Sequence, residues 1–354
     1  MAWVITWDNS RGCLCQTGIS NGISLRYDIY MKRIGVLMGG PSSEHDVSLL
    51  SGMNVMRALE GRFEAVPIFI TKSGAWLFGH ERRWVNPAGA LGHVDAIFNA
   101  LHGEYGEDGK IQQILNHFQI PYTGSEALSS ALAMNKIAAQ KILEGAGIRM
   151  PRSLVMGPHD LDTRSVMAFS APPWIVKPMS RGSSVGVSKV GMREDLPTAF
   201  AKALAVDPHL VVQEFIPGRE ITCGVLEHFD GHPLTALAPI EIIPPKDADF
   251  FDYQVKYNGA TEERCPADLH GAMLAHIHET ASLAHTALGL RHYSRSDMII
   301  KPSDKTRRAP ELYLLEVNTL PGLTSESLFP KAARHAGLEF PDLISHIIGL
   351  TGVV

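Results

Sequence analysis

No apolar run in the chain approaches the ~18 residues that a membrane-spanning helix needs, which argues against a helical membrane protein. Cysteine is scarce. Cys13 and Cys15 sit together near the N-terminus and Cys223 and Cys265 are solitary, so neither a disulfide framework nor a zinc-ligand spacing emerges, and a reducing cytoplasm fits. An excess of one charge is also missing: the formal net charge is -5, and no basic stripe with interleaved aromatics marks a nucleic-acid surface. What remains, 354 residues with 45% hydrophobic and 19% charged, is an ordinary globular composition with room for two or three domains. Small-molecule chemistry is favoured.

The opening stretch "MAWVITWDNSRGCLCQTGISNGISLRYDIY" lacks the basic lead of a secretion signal, and Asp8 and Arg11 interrupt any apolar core. It shows no sustained helical or strand period, so residues 1–30 are expected to be an irregular extension or the product of an upstream start site. The folded part is expected to begin at Met31, where "KRIGVLMGG" gives a buried-looking strand and a glycine turn.

From there the pattern alternates. "GGPSSEHDVSLLSGMNVMRALE" reads as a turn and an amphipathic helix with Val47, Leu50 and Val55 on its apolar face. Strands at "EAVPIFI" and "DAIFNAL" and a helix at "GKIQQILNHF" complete what reads as an open parallel sheet. "SSALAMNKIAAQKILEGAGI" reads as one helix stopped by glycines, with Pro151 beyond. "WIVKP" and "GVSKV" read as one hairpin, and "LVVQEFI", "PG" and "EITCGVLEH" as another. A helix near Leu274–Leu288, strands "SDMII" and "LYLLEVN" and a terminal helix follow.

Two stretches carry most of the chemistry. In "LLEVNTLPGLTSESLF" alternation sends Glu316 and Asn318 to one strand face and Leu315 and Val317 to the other. A carboxylate beside a carboxamide oxygen suits a hard cation such as Mg2+, although the pair taken alone also reads as a polar strand end before a turn. In "IVKPMSRGSSVGVSKV" Lys177 ends an apolar strand before a Gly/Ser-rich turn whose backbone N–H groups could approach phosphate, or which is simply a flexible hairpin. "GEYGEDGK" has the wrong glycine spacing for a phosphate-binding P-loop, and Ile111 stands where Ser or Thr is required.

Taken in order, Lys136, Lys177, "QEFIPGRE", Arg295 with Asp297, and Glu316 with Asn318 resemble the nucleotide and metal inventory of the ATP-grasp superfamily. "GGPSSEHDVS", "LHGEYGEDG", "KPMSRGSSVGV", "FFDYQVKY", "RSD" and "LEVNTLPGLTSESL" are similar in particular to D-alanine:D-alanine ligases, from Lys32 to the C-terminus. The resemblance implies an α/β (α+β) fold with an N-terminal open parallel-sheet substrate domain at 31–124. A central ATP-grasp domain at 125–211 and a C-terminal catalytic domain at 212–354 would sandwich ATP.

The activity it implies is ATP-dependent joining of two D-alanines through an acyl phosphate, for peptidoglycan precursor synthesis in the cytoplasm, with ATP as co-substrate and two Mg2+, or Mn2+, as cofactors. No nucleic acid or membrane partner is implied, and there is room for a homodimer. Lys136, Lys177 and Lys256 would hold phosphates, and Phe215, Ile216 and Glu220 would line the adenosine pocket. Gln213 departs from the family's usual Glu at the adenine contact; its oxygen can still accept, without charge. Asp297, Glu316 and Asn318 would hold the metals. Arg295 and Gly322 would stabilise the tetrahedral intermediate, and Glu44, with His102 nearby, would bind the first alanine. Ser327 and Leu328 would bind the second, while Tyr257 would act with Glu44 and Ser183 on the acceptor side. Lys256 and Tyr257 lie in a long polar stretch that reads as a lid. The alternatives left open are a related ligase taking D-lactate or D-serine as acceptor, and a nucleotide-binding regulator without turnover.

Overall fold

A computed structural model describes the chain apart from residues 1–2, 9–12, 21–22, 30, 181, 183–184, 246–260, 305–308 and 325, and describes residues 1–30 by backbone alone. Four sheets are present among the described residues. The first corrects the sequence expectation of an irregular extension. Trp3–Asp8, Cys13–Ser20 and Ile23–Ile29 form an antiparallel meander, with Ser20 opposite Ile23. Between the last two strands the sequence carries Asn21-Gly22, a dipeptide favoured in two-residue hairpin connections.

The second sheet is centred on Arg33–Gly39, flanked in parallel by Glu64–Ile70 and Ala96–Asn99. One edge is an antiparallel hairpin, Trp76–Phe78 with Arg83–Val85, so the sheet is parallel only across its other three strands. Alternation along the central strand splits the core. Ile34, Val36 and Met38 pack with Val55 and Ala58 of the His45–Ala58 helix, whereas Leu37 packs with Ile111 and Leu115 of the Lys110–His117 helix. On His45–Ala58 the buried face is Ser48, Ser51, Gly52, Val55 and Ala58, while Leu50 is exposed and Val47 half-buried. The small residues bring this helix close to its sheet and leave the larger side chains facing a cleft.

The expected single helix over residues 129–148 is two, Ala127–Met134 and Lys136–Gly145, because the Asn135 side chain caps the second by accepting from the Ala138 N–H at 3.0 Å. This makes Lys136 the first helical residue. The third sheet is antiparallel, ordered Ser188–Val190, Trp174–Pro178, Leu210–Glu214, Ser153–Met156, and it confirms the hairpin read in "WIVKP" and "GVSKV".

The hairpin expected around Pro217-Gly218 does not form. Leu210–Glu214 stays in the third sheet, while Arg219–Glu227 pairs with Leu234–Ala236, Ile240–Ile243 and Tyr293–Lys301 in the fourth. The Pro-Gly step is a crossing between sheets, packed so tightly that a Cβ on Gly218 would stand 2.2 Å from the Ile300 carbonyl oxygen. The crossing puts Gln213 and Glu220 on different sheets, one on each side of a cleft. The fourth sheet ends with Glu311–Asn318 beside Tyr293–Lys301 and is backed by the Gly271–Ala287 helix.

In place of one terminal helix there are two, Leu328–His335 and Phe340–Gly349. Leu320, Leu323, Phe329, Leu343 and Ile347 share one core with Ile34, Val36 and Val55, so the C-terminal end of the chain is packed onto the N-terminal sheet. That shared core fixes the turn after Asn318 against the loops of the second sheet.

Candidate active site

Asp297 and Glu316 stand directly opposite each other on neighbouring antiparallel strands. Immediately beyond, the register slips, because Met298 faces Leu314 and Leu315 is the extra residue of a bulge. Strict alternation therefore fails at one position. Leu315 does not pack away with Val317 in the core as expected but lines the cleft beside Glu316. Asp297 is held by its neighbours: Arg295 donates Nε and Nη2 to its two oxygens at 2.9 Å each, Thr222 donates its hydroxyl at 2.6 Å and Asn318 its amide at 2.9 Å. Arg295 is 9% exposed. Burial alone would favour its neutral form, but Asp297, Glu316 and Glu107 outweigh that and keep it firmly charged.

Across the cleft lie two lysines. Lys177, 8% exposed, donates to Gln213 Oε1 at 3.0 Å, and Gln213 Nε2 donates to Ser153 Oγ at 3.1 Å. Burial and the positive charge of Lys136 bring Lys177 down to about 8, with Glu316 pulling the other way. Lys136 is lowered too, by burial, with Glu316, Asp207 and Glu104 partly offsetting it. Phe215 and Ile216 follow on the loop from Gln213, and Lys189 lies 4.5 Å over the Phe215 ring centre.

The third wall comes from the N-terminal sheet. A Cβ on Gly103 would stand 2.8 Å from Glu44 Oε2, so the Glu44 carboxylate lies close against the loop that also carries His102 and Glu107, where a glycine leaves it room. Glu107 accepts from Gly103 N–H at 2.9 Å, Leu320 N–H at 3.1 Å and the Thr319 hydroxyl at 3.2 Å. Burial and the nearby Glu44 charge raise it to about 7, against the pull of those three donors. Gly322 faces Ser327 so closely that a Cβ there would lie 2.7 Å from Ser327 Oγ.

These walls enclose a cavity of about 810 Å³. It brings together Glu44, His102, Lys136, Glu220, Arg295, Asp297, Glu316, Asn318, Gly322, Ser327 and Leu328, residues spread over most of the sequence. Lys177 and Gln213, on the adjoining third sheet, and Phe215 and Ile216, on the loop that follows it, are outside its lining. Ser183, Lys256 and Tyr257 fall outside the described residues. Among the lining residues without a role from sequence are Glu107 and the pair Glu263 and Lys331, an ion pair at 2.5 Å. Glu107 was legible as part of "LHGEYGEDG"; Glu263 and Lys331 are far apart in sequence and carried no signal.

Two antiparallel sheets closing on a cleft, with Lys177 on one and the Asp297–Glu316 strand pair on the other, define an ATP-grasp fold. The chain belongs to the D-alanine–D-alanine ligase family: residues 33–91 and 83–125 match "D-ala D-ala ligase N-terminus" and residues 143–349 match "D-ala D-ala ligase C-terminus". It is 40% identical to the D-alanine–D-alanine ligase of Geobacter sulfurreducens, over 91% of this chain and 95% of that one. It is also 40% identical to the ligase of the same name from Desulforudis audaxviator, over 90% and 98%. Among solved structures it resembles the VanG D-Ala:D-Ser ligase of Enterococcus faecalis, with TM-score 0.79, 32% identity and coverage of 91% of this chain and 99% of that one. The D-alanine–D-alanine ligase of Coxiella burnetii gives TM-score 0.76, 26% identity, 91% and 94%.

Proposed function

We propose that the protein joins two D-alanine molecules into D-alanyl-D-alanine while cleaving ATP to ADP and phosphate, supplying a peptidoglycan precursor in the cytoplasm. The observation that carries this reading is the opposition of charge in the cleft: Lys136 against the Asp297–Glu316 pair with Asn318, with Glu44 at the far wall and Lys177 beside the cavity, close enough to feel the charges of both Lys136 and Glu316. Among the described residues no helix is long and apolar enough to cross a membrane.

Lys136 and Lys177 receive the polyphosphate, and Phe215, Ile216 and Glu220 flank the nucleoside. Gln213 keeps a second lone pair on Oε1 for the adenine amino group while accepting from Lys177. Two carboxylates and a carboxamide on adjacent strands are a hard-oxygen donor set, and Asp297 is already oriented by its donors, so Asp297, Glu316 and Asn318 fit Mg2+ or Mn2+. When bound, these ions would neutralise phosphate oxygens during transfer.

Glu44 holds the first alanine by its ammonium, with His102 alongside, so that its carboxylate faces the γ-phosphate. Attack breaks the bond to ADP and leaves an acyl phosphate. Leu328, the first residue of the Leu328–His335 helix, offers its backbone N–H to the second carboxylate, and Ser327, whose N–H already donates to the Thr324 carbonyl oxygen at 3.1 Å, approaches through its hydroxyl. Its amine, once neutral, attacks the acyl carbon. Arg295 and the Gly322 N–H face the oxyanion, and phosphate departs with one former carboxylate oxygen. Ser183, Tyr257 and Lys256 are assigned to acceptor positioning and phosphate contact by motif alone.

Purified protein given ATP, Mg2+ and either D- or L-alanine, with products identified by mass, tests the reading. D-alanyl-D-alanine formed stoichiometrically with ADP, and no product from L-alanine, is expected. Preferential coupling to D-serine or D-lactate in a competition with D-alanine would reassign the acceptor, and ATP binding without any D-alanine-dependent phosphate would overturn the ligase reading.

A further inference from the structure

We propose that Glu107 and His102 are positioning residues that grip Leu320 from both sides and so set the Pro321-Gly322 turn at the height where the Gly322 N–H meets the oxyanion. The inference rests on the ligase reading above.

Leu320 is held at both of its backbone polar groups, one in each of the peptide units that flank its Cα. Its N–H donates to Glu107 Oε2 at 3.1 Å, and its carbonyl oxygen lies 3.1 Å from His102 Nδ1. A carbonyl only accepts, so His102 carries its proton on Nδ1. Nε2 then accepts from the Ser51 hydroxyl at 2.8 Å, and the same hydroxyl oxygen accepts the Leu323 N–H at 3.4 Å. The other Glu107 oxygen is tied to Gly103 N–H at 2.9 Å, and Gly103 accepts in return from the Glu107 N–H at 2.8 Å. The grip therefore has a fixed base in the N-terminal sheet and its jaws on the C-terminal turn.

The amides of the turn show what this accomplishes. Leu320 N–H goes to Glu107, Leu323 N–H to Ser51 and Thr324 N–H to Ser327 Oγ at 3.0 Å, while Pro321 has none. Among the described residues only the Gly322 N–H of this run has no partner, and Gly322 lines the cavity. Every donor around it is anchored and it alone is left for a ligand. A donor worth having in the transition state has to be held in place beforehand, and a shift of about 1 Å can lower rate about a hundredfold. Glu107 joins the two ends of that hold with one carboxylate, accepting from Gly103 on one side and from Leu320 on the other.

The two half-reactions separate this role from mere support. With ATP labelled in the β,γ-bridge, oxygen scrambling dependent on D-alanine reports acyl-phosphate formation, and dipeptide yield reports the second step. Glu107→Gln turns one acceptor into a donor and must release either Gly103 or Leu320. It is expected to keep scrambling and the KM for ATP near wild type, to lower the kcat for dipeptide about a hundredfold, and to leave the melting temperature within a few degrees. Thr319→Val, which removes one donor to Glu107 and leaves Leu320 untouched, should cause a smaller loss in the same step. Parallel loss of both half-reactions, or a rise in KM for ATP that follows a fall in melting temperature, would show Glu107 to be structural support and overturn the proposal. Wild-type protein that scrambles label but makes no dipeptide would overturn the ligase reading and this inference with it, whereas dipeptide formation unaffected by Glu107→Gln would overturn this inference alone.

Discussion

Lys177 donates its ammonium to Gln213 Oε1 across 3.0 Å, so a buried cation is answered by a neutral carboxamide rather than by a carboxylate. Burial and Lys136 therefore act on Lys177 without a countercharge at its nearest contact, and it stands at about 8. The unfolded chain, with Lys near its ordinary 10.5, binds more protons than the folded one between those two values. Stability should accordingly rise as pH climbs from about 8 toward about 10.5, as far as this group is concerned. Gln213→Glu supplies the missing charge, raises Lys177 and should flatten that rise. Denaturant unfolding of the two proteins across this window checks it, and parallel curves would contradict it.

Glu316→Gln keeps the shape of a side chain that is exposed in the cleft while removing a charge that both buried lysines feel. Stability should change by less than about 1 kcal/mol, as for other substitutions outside the core. Turnover should fall at least about a hundredfold, the scale of losing one electrostatic contact to developing charge, with a higher Mg2+ requirement. Wild-type turnover at unchanged Mg2+ dependence would make Glu316 a strand residue only.

Among the described residues the three strands of the N-terminal meander pair only with one another, and the family match begins at residue 33. Removal of residues 1–30 is expected to leave dipeptide synthesis within about twofold and the melting temperature within a few degrees, since the strands of the site's sheets find their partners within residues 33–318. A larger loss of either, measured side by side with the full chain, would show that the meander supports the site.

Much of this was legible in the sequence because local chemistry fixes it. Glu316 and Asn318 share a face through strand alternation, and Asp297 meets Glu316 through the pairing of two apolar strands. What escaped reading depends on distant partners. Pro217-Gly218 has hairpin chemistry, but its path is decided by the Ile300 carbonyl far along the chain. The bulge at Leu315 comes from register with Met298, which no local pattern encodes. Glu107 could be seen in its motif, yet its role requires Leu320, more than two hundred residues away. Asn135 was different: a capping residue with a clear local signal, hidden inside a helical pattern that ran on both sides of it.

The central claim, that a D-alanine carboxylate attacks ATP and is then displaced as part of phosphate, is tested most directly with D-alanine carrying 18O in both carboxylate oxygens. Mass analysis of the released phosphate should show one 18O for each dipeptide formed, because the attacking oxygen leaves bonded to phosphorus. Phosphate released without label, while dipeptide accumulates, would contradict the account.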